Sequence, residues 1–287
     1  MSKLVFGTDP EVFVTERKND KEYAIPMPHF FSEYGIKPVE VDELKKHPVL
    51  IKRDDYKVIM DGVSFELNVR PASDAKSLHA TISNALDEIG NFADKYGYNL
   101  SVKPTVNYEF NRFFKPDDDM LFQCGIFGCD KDKDAILESY DSPEIDAVEH
   151  EYRYGGGHLH ISDDNELVNI YPVAFVKFLA IFCGNYAVAN SKYPTLEHLR
   201  AWKYGQPGRY RIQKYPNKVV GVEYRTPSNN WISELSYIEG MLHHANLAYE
   251  ALKNKRSDII LDYIDDTIKA ISDTNINLAN QVLSSIS

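Results

Sequence analysis

The sequence predicts an α+β fold built round a mainly antiparallel sheet. Segments 63–71, 155–162 and 219–227 alternate apolar and polar residues, which is the period of a half-buried strand. Helical spacings occur elsewhere, but helices and strands do not alternate in the regular order of a doubly wound parallel sheet. The chain has 287 residues, 43 % hydrophobic and 26 % charged, enough for one sizeable core. No repeat or low-complexity linker divides it, so 1–287 is read as a single domain.

Taken in order, residues 3–14 form a first strand interrupted at Pro10, with Asp9 and Glu11 on one face if the alternation runs through. Residues 18–57 carry Pro26, Pro28, Pro38 and Pro48 and read as a long irregular excursion. Pro71 ends the second strand, and Ser73 is the expected N-cap of a helix reaching Tyr96. Leu78, Ile82, Leu86, Ile89 and Phe92 have helical spacing, and Gly97 supplies the stop. A short strand is expected at 99–107, then an aromatic and acidic loop at 113–119. Pro172 opens a strongly apolar helix to about Asn190, expected on the dry face of the sheet. Ser233 is the expected cap of a helix to Lys253, and helices at 258–271 and 274–284 complete the chain.

Composition narrows the function classes. A formal net charge of −11 argues against an extended nucleic-acid surface, which needs clustered Lys and Arg. Cys124, Cys129 and Cys183 make no disulfide framework, and an odd count fits a reducing compartment. Cys124 and Cys129 read as buried thiols, since no second pair completes a zinc site. Residues 1–10 lack a cationic stretch followed by an apolar one. The most apolar run, 173–189, is interrupted by Lys177 and Asn185. The expectation is a cytoplasmic, soluble protein without membrane association; the oligomeric state is left open.

The polar positions of the alternating segments carry the chemistry. Residues two apart on a strand share a face, roughly 7 Å apart along it. Ser64, Glu66, Asn68 and Arg70 therefore oppose Val63, Phe65, Leu67 and Val69. His158 and His160 follow three glycines on another strand, and Glu223 and Arg225 alternate with Val222 and Tyr224 on a third. Three such strands in one sheet place glutamates, histidines and arginines on one face, where Glu11, Glu66 and Glu223 are candidate ligands for a hard divalent cation. Arg200, Arg209 and Arg211, in a loop made pliable by Gly205 and Gly208, gather with Arg225 and suit an anion, because a guanidinium binds phosphate through a planar fork of donors.

Other motifs lead nowhere. Asp130-x-Asp132-x-Asp134 has Ala135 where a calcium loop turns on glycine, and its charge is expected to be solvated. Gly125–Gly128 is no phosphate loop. Neither GxxxxGK[ST] nor a strand-borne GxGxxG is present, nor a GxSxG elbow.

The segments GTDPEVFV (7–14), DGVSFELNVRP (61–71), GGGHLHIS (155–162), YGQPGRYR (204–211) and GVEYRTPSNNW (221–231) together resemble the phage-type carboxylate–amine ligases. That group of type 2 amidoligases is similar to glutamate–cysteine ligase and, more distantly, to glutamine synthetase. The resemblance spans motifs at 7–231, with C-terminal helices at 233–287 beyond them. It implies a curved, mainly antiparallel sheet of the glutamine-synthetase catalytic type, helices on its convex face, and ATP with Mg2+ or Mn2+ on its concave face. It implies that ATP phosphorylates a small-molecule or peptide carboxylate and that an amine displaces phosphate to form an amide. If the chain is phage-encoded, its place is the host cytoplasm.

Carried onto this sequence, the resemblance makes Glu11, Glu66, His158 and Glu223 metal ligands. It sets Asn68, His160, Arg209, Arg211 and Arg225 at the nucleotide, and gives Glu66, Arg211, Glu223 and Arg225 the catalytic roles. The chain departs from the family where Gly128-Cys129-Asp130-Lys131-Asp132 lacks a proline, where only Pro71 follows the second-strand motif, and over 18–57. Those are places where an acceptor would bind. Two rival readings stand beside the ligase: a metal-dependent hydrolase using His158 and His160, and a non-catalytic nucleotide-binding relative. Glu66→Ala or Glu223→Ala is expected to abolish ATP turnover without unfolding the protein.

Overall fold

The alternating segments become strands, but in two sheets rather than one. The computed structural model describes residues 4–43, 46–113, 119–125, 132–138, 147–215 and 219–286. Cys129, Asp130 and most of the acidic loop expected at 113–119 lie outside the described residues. The strands are β1 (Leu4–Thr8), β2 (Glu11–Lys18), β3 (Lys21–Ala24), β4 (Glu40–Val41), β5 (Pro48–Lys52), β6 (Tyr56–Asp61) and β7 (Ser64–Val69). There follow β8 (Asn99–Ser101), β9 (Thr105–Asn107), β10 (Lys133–Asp134), β11 (Tyr152–Tyr154), β12 (Leu159–Asp163), β13 (Arg209–Lys214) and β14 (Val220–Tyr224).

The first sheet runs β1-β12-β14-β13-β10, and the second β11-β9-β3-β2-β7-β6-β5-β4 with β8 also on β2. Pairing is antiparallel except between β3 and β9. The expected α+β class with antiparallel-rich sheets holds. The single sheet uniting the three alternating segments does not: β7 belongs to the second sheet, β12 and β14 to the first. Alternation fixes which face a side chain takes, not which strand its backbone pairs with.

Proline makes the division at one place. The expected first strand breaks at Asp9-Pro10, so β1 pairs β12 in one sheet while β2 pairs β7 in the other. The triple glycine at 155–157 makes the return crossing from β11 to β12. A Cβ there would meet Asn229 Nδ2 at 2.4 Å, the His158 ring at 2.4 Å or the Ser228 carbonyl at 2.2 Å, so the seam closes only on glycine. Main-chain bonds tie it: Glu11 N–H to Gly156 O at 2.9 Å, and Phe6 and Ala72 exchanging two, at 2.8 and 2.7 Å.

One helical layer covers both apolar faces. The helix Ala75–Lys95 packs on β7, β6, β2 and β8, the helix Pro172–Leu179 on β13 and β14, and Leu235–Lys253 packs against both helices. Phe65, Leu67, Leu159, Ile161, Val222 and Tyr224 thereby join one core with Leu78, Ile82, Phe175 and Leu242. The apolar run continues as a π-helical turn, Ala180–Gly184, and the helix Asn185–Ala189, where a Cβ on Gly184 would strike Tyr224 Oη at 2.8 Å. Its mean hydropathy of 1.6 over Pro172–Ala189 belongs here to a helix that is 61 % buried against sheet and neighbouring helices.

Three local expectations change. Residues 18–57 hold β3, β4, β5, the start of β6 and the helix Met27–Tyr34, because their prolines sit at element starts: Pro26 at an N-cap, Pro28 in a first turn, Pro48 opening β5. Asp74 rather than Ser73 caps Ala75–Lys95, accepting Ser77 N–H at 2.9 Å. Ser233 ends a 3-10 turn, Asn229–Ser233, and Glu234 precedes the next helix. The last two helices run Ser257–Ser272 and Ile276–Ile286.

Candidate functional site

The strand registers assemble the first half of the site. Gly7 pairs His160, His160 pairs Glu223, and Glu223 pairs Arg211, so one row crosses four strands on the face away from the helices. One step along, continuing those registers, His158 lies opposite Arg225, and Asp9 follows β1 at the corner. Gly7 keeps the row open, since a Cβ there would touch His160 Cβ at 3.4 Å.

Asp9 Oδ1 is 3.0 Å from His158 Nδ1 and 3.1 Å from His160 Nε2. Glu223 Oε1 is 3.5 Å from His158 Nδ1 and bonds Arg225 Nη1, while Gln213 donates to its other oxygen. Asp9, His158 and Glu223 each offer a ligand atom, all within 4.8 Å of one another. Burial would raise the Asp9 carboxyl, but His160 and His158 outweigh it and hold it well below its ordinary value. Burial likewise opposes ionisation of Glu223, yet Arg225, His160 and His158 bring it down to about 2. His160 is raised despite burial because Asp9 favours its charged form, and its Nδ1 meets Tyr215 Oη at 2.7 Å. Here opposite charges compensate one another inside the protein.

The second half lies on the other sheet. Glu11 opens β2 and pairs directly with Glu66 on β7. Asp61 ends β6 just before a turn in which Gly62 takes φ 55°, and Ser64 Oγ donates to Asp61 O at 2.6 Å. Oxygens of Glu11, Asp61 and Glu66 also fall within 4.8 Å of one another. Burial pushes the Glu11 carboxyl up; Asp61 adds to that, and His158, Gly156 N–H and Arg225 offset it only in part. Three carboxylates this close, two of them buried, fit a hard divalent cation, which takes oxygen ligands and removes the mutual repulsion. The first cluster offers two carboxylates and an imidazole, a donor set that also accepts Mn2+.

Tyr204 joins the halves. Its hydroxyl is 2.8 Å from His158 Nε2, 2.9 Å from Arg225 Nη2 and 3.2 Å from Glu11 Oε1. Arg200 holds the segment that carries it, donating to the Thr226 and Pro227 carbonyls at 2.8 and 3.1 Å. Arg200 is thus a structural strut rather than an anion ligand. Gly205 packs on its guanidinium, where a Cβ would come within 2.3 Å, and Gly205 and Gly208 take φ 74° and 77°. These glycines make the loop closely fitted, not pliable.

The arginines have a carboxylate between them. Asp132 Oδ1 is 2.9 Å from Arg211 Nε and 3.0 Å from Arg225 Nε. Asp134 caps the Ile136 and Leu137 amides at 2.8 and 2.9 Å and lies 3.7 Å from Arg209. Asp132 and Asp134 are therefore buried partners of arginines; the expectation that their charge is solvated fails because β10 pairs with β13 and brings them there.

Of the expected residues, Glu66 and Glu223, 2 % and 1 % exposed, are too buried for a solvated sheet face. Glu11 and Glu66 come together in one cluster, and His158 and Glu223 in the other. His160 sits beside the second pair. Arg209, Arg211 and Arg225 converge on the β10 edge. Asn68 shares the face of Glu66 but is exposed at the far end of β7. The sequence reading did not assign Asp9, Asp61, Asp132, Tyr204, Gln213 or Tyr215. Asp9 had one available signal, its alternation with Glu11. No protein-family model matches the sequence, and no curated protein matches it either.

Proposed function

We propose that this protein is an ATP-dependent carboxylate–amine ligase that uses Mg2+ or Mn2+, on a sheet assembly of the glutamine-synthetase type. The observation that carries the reading is two acidic clusters side by side at the sheet seam, with Arg211 and Arg225 next to them. Glu11, Asp61 and Glu66 would hold one divalent cation, and Asp9, His158 and Glu223 a second. Bound there, the cations neutralise phosphate charge and polarise the phosphoryl group for transfer to a carboxylate.

The chain's own residues do the rest. Arg211 and Arg225 offer fixed donors to developing negative charge, and their pairing with Asp132 holds them in place beforehand. Gln213 and Arg225 orient Glu223, while Gly156 N–H orients Glu11 at 2.7 Å. His160 stays neighbour to Asp9 and Tyr215 rather than joining either acidic cluster, which favours one imidazole per cation site over the two of a zinc hydrolase.

The test is ADP release across mixtures of carboxylates and amines with Mg2+ or Mn2+ present. ADP formed only when both substrates are supplied, and lost in Glu66→Gln and Glu223→Gln, supports the ligase. ATP binding without ADP in any mixture identifies a non-catalytic relative, and bound zinc with nucleotide-free cleavage identifies a hydrolase.

A further inference from the structure

We infer that Tyr204 is a positioning residue that couples the two acidic clusters, by giving its single hydroxyl hydrogen to either His158 or Glu11. The inference rests on the clusters being cation sites, as proposed above. A tyrosine hydroxyl has one hydrogen and two acceptor positions. Arg225 Nη2, 2.9 Å away, only donates, so it takes one acceptor position in every state. Glu11 Oε1 as a carboxylate oxygen only accepts, and His158 Nε2 does either, according to its tautomer.

Two arrangements follow. In one, Tyr204 donates to His158 Nε2, the ring proton lies on Nδ1, and Nδ1 donates to Asp9 at 3.0 Å. A proton then fills the space a cation would take, and Glu11 lacks the Tyr204 donor. In the other, His158 Nε2–H donates to Tyr204 and Tyr204 donates to Glu11. Nδ1 is then bare, facing Asp9 and Glu223 Oε1 at 3.5 Å, and it also accepts from Arg225 Nη1 at 3.1 Å. The ring is neutral in both arrangements, with its one proton moved from Nδ1 to Nε2.

A cation on Asp9, His158 and Glu223 selects the second arrangement, because it needs the Nδ1 lone pair. Glu11 then holds one donor on each oxygen, Tyr204 on Oε1 and Gly156 N–H on Oε2. Its carboxylate is fixed in ionised form beside Asp61 and Glu66, ready for the other cation. The coupling is reciprocal, as linkage requires.

The test uses the full chain. Mn2+ binding followed by electron paramagnetic resonance should give two sites in the wild type. Tyr204→Phe should still bind two ions but lower the ratio of second to first association constants by about fivefold or more, the lower end of ordinary coupling. An unchanged ratio, within about twofold, overturns the inference while leaving the cation sites standing. Wild type that binds no Mn2+ at millimolar concentration overturns both. Independently of any variant, nitrogen-15 spectra of the Mg2+-loaded wild type should show His158 protonated at Nε2 and bare at Nδ1. A proton on Nδ1 in the loaded protein overturns the coupling.

Discussion

The two acidic clusters lie side by side yet are stabilised in different ways. Asp9, His158 and Glu223 are surrounded by compensating charge, and their carboxyls are held low; Glu11, Asp61 and Glu66 are carboxylates alone, and Glu11 is pushed up. The first keeps its form without a bound ion and supports the fold. The second carries repulsion that a cation or a proton must relieve. A protein can therefore hold one preformed ion site and one that is stable only when filled.

The sharpest way to break this contrast is Glu223→Ala. It leaves Arg225 buried without its nearest carboxylate and Gln213 without an acceptor, and should cost about 3–5 kcal/mol in urea unfolding. The earlier expectation that this change spares the fold is thereby revised, and Glu223→Gln is the better probe of activity. The next effect is a gain: at free Mg2+ or Mn2+ 100 times the dissociation constant, stability should rise by about 2.7 kcal/mol, read as a higher Tm. Glu66→Gln should abolish most of that gain.

Acidity separates the clusters further. A carboxyl raised in the folded state, such as Glu11, gives full stability below its unfolded value of 4.5 and loses it as pH rises through the folded value. His160, also raised, acts in the same direction above 6.5. Asp9 and Glu223, both lowered, act oppositely and lose their contribution only as pH falls through their folded values. Metal-free protein should therefore lose stability as pH rises from mildly acid, by at most about 1.4 kcal/mol per pH unit for each proton released. Glu11→Gln should flatten that slope, and cation loading should do the same. The smallest effect is expected for Glu66→Gln without metal: a gain on the order of 1 kcal/mol from relieved repulsion. A loss of similar size would mean that the carboxylate cluster is compensated after all.

Much of the site was legible in the sequence because period-two alternation marks side chains that share a face. Glu66, His158, Glu223 and Arg225 were found that way, and each lies in or against an acidic cluster. Asp9 and Asp61 escaped assignment because they sit at a strand corner and before a turn, where alternation carries no information. Asp132 and Tyr204 are brought in by loops whose partners are distant in sequence, and no local period encodes such contacts. The α+β class followed from pattern; the division into two sheets did not, since Pro10 and three glycines signal a break without saying which strand pairs next.

The corner at Asp9-Pro10-Glu11 has a metrical consequence. Asp9 belongs to one cluster and Glu11 to the other, with only Pro10 between them. Two extended residues span at most about 7 Å, so their α-carbons can be no farther apart. The spacing between whatever the clusters hold is thus limited by the covalent chain and changes little with temperature or core repacking. Substitutions elsewhere will alter how tightly each position is filled, but only a change in the length of this corner resets the distance between them.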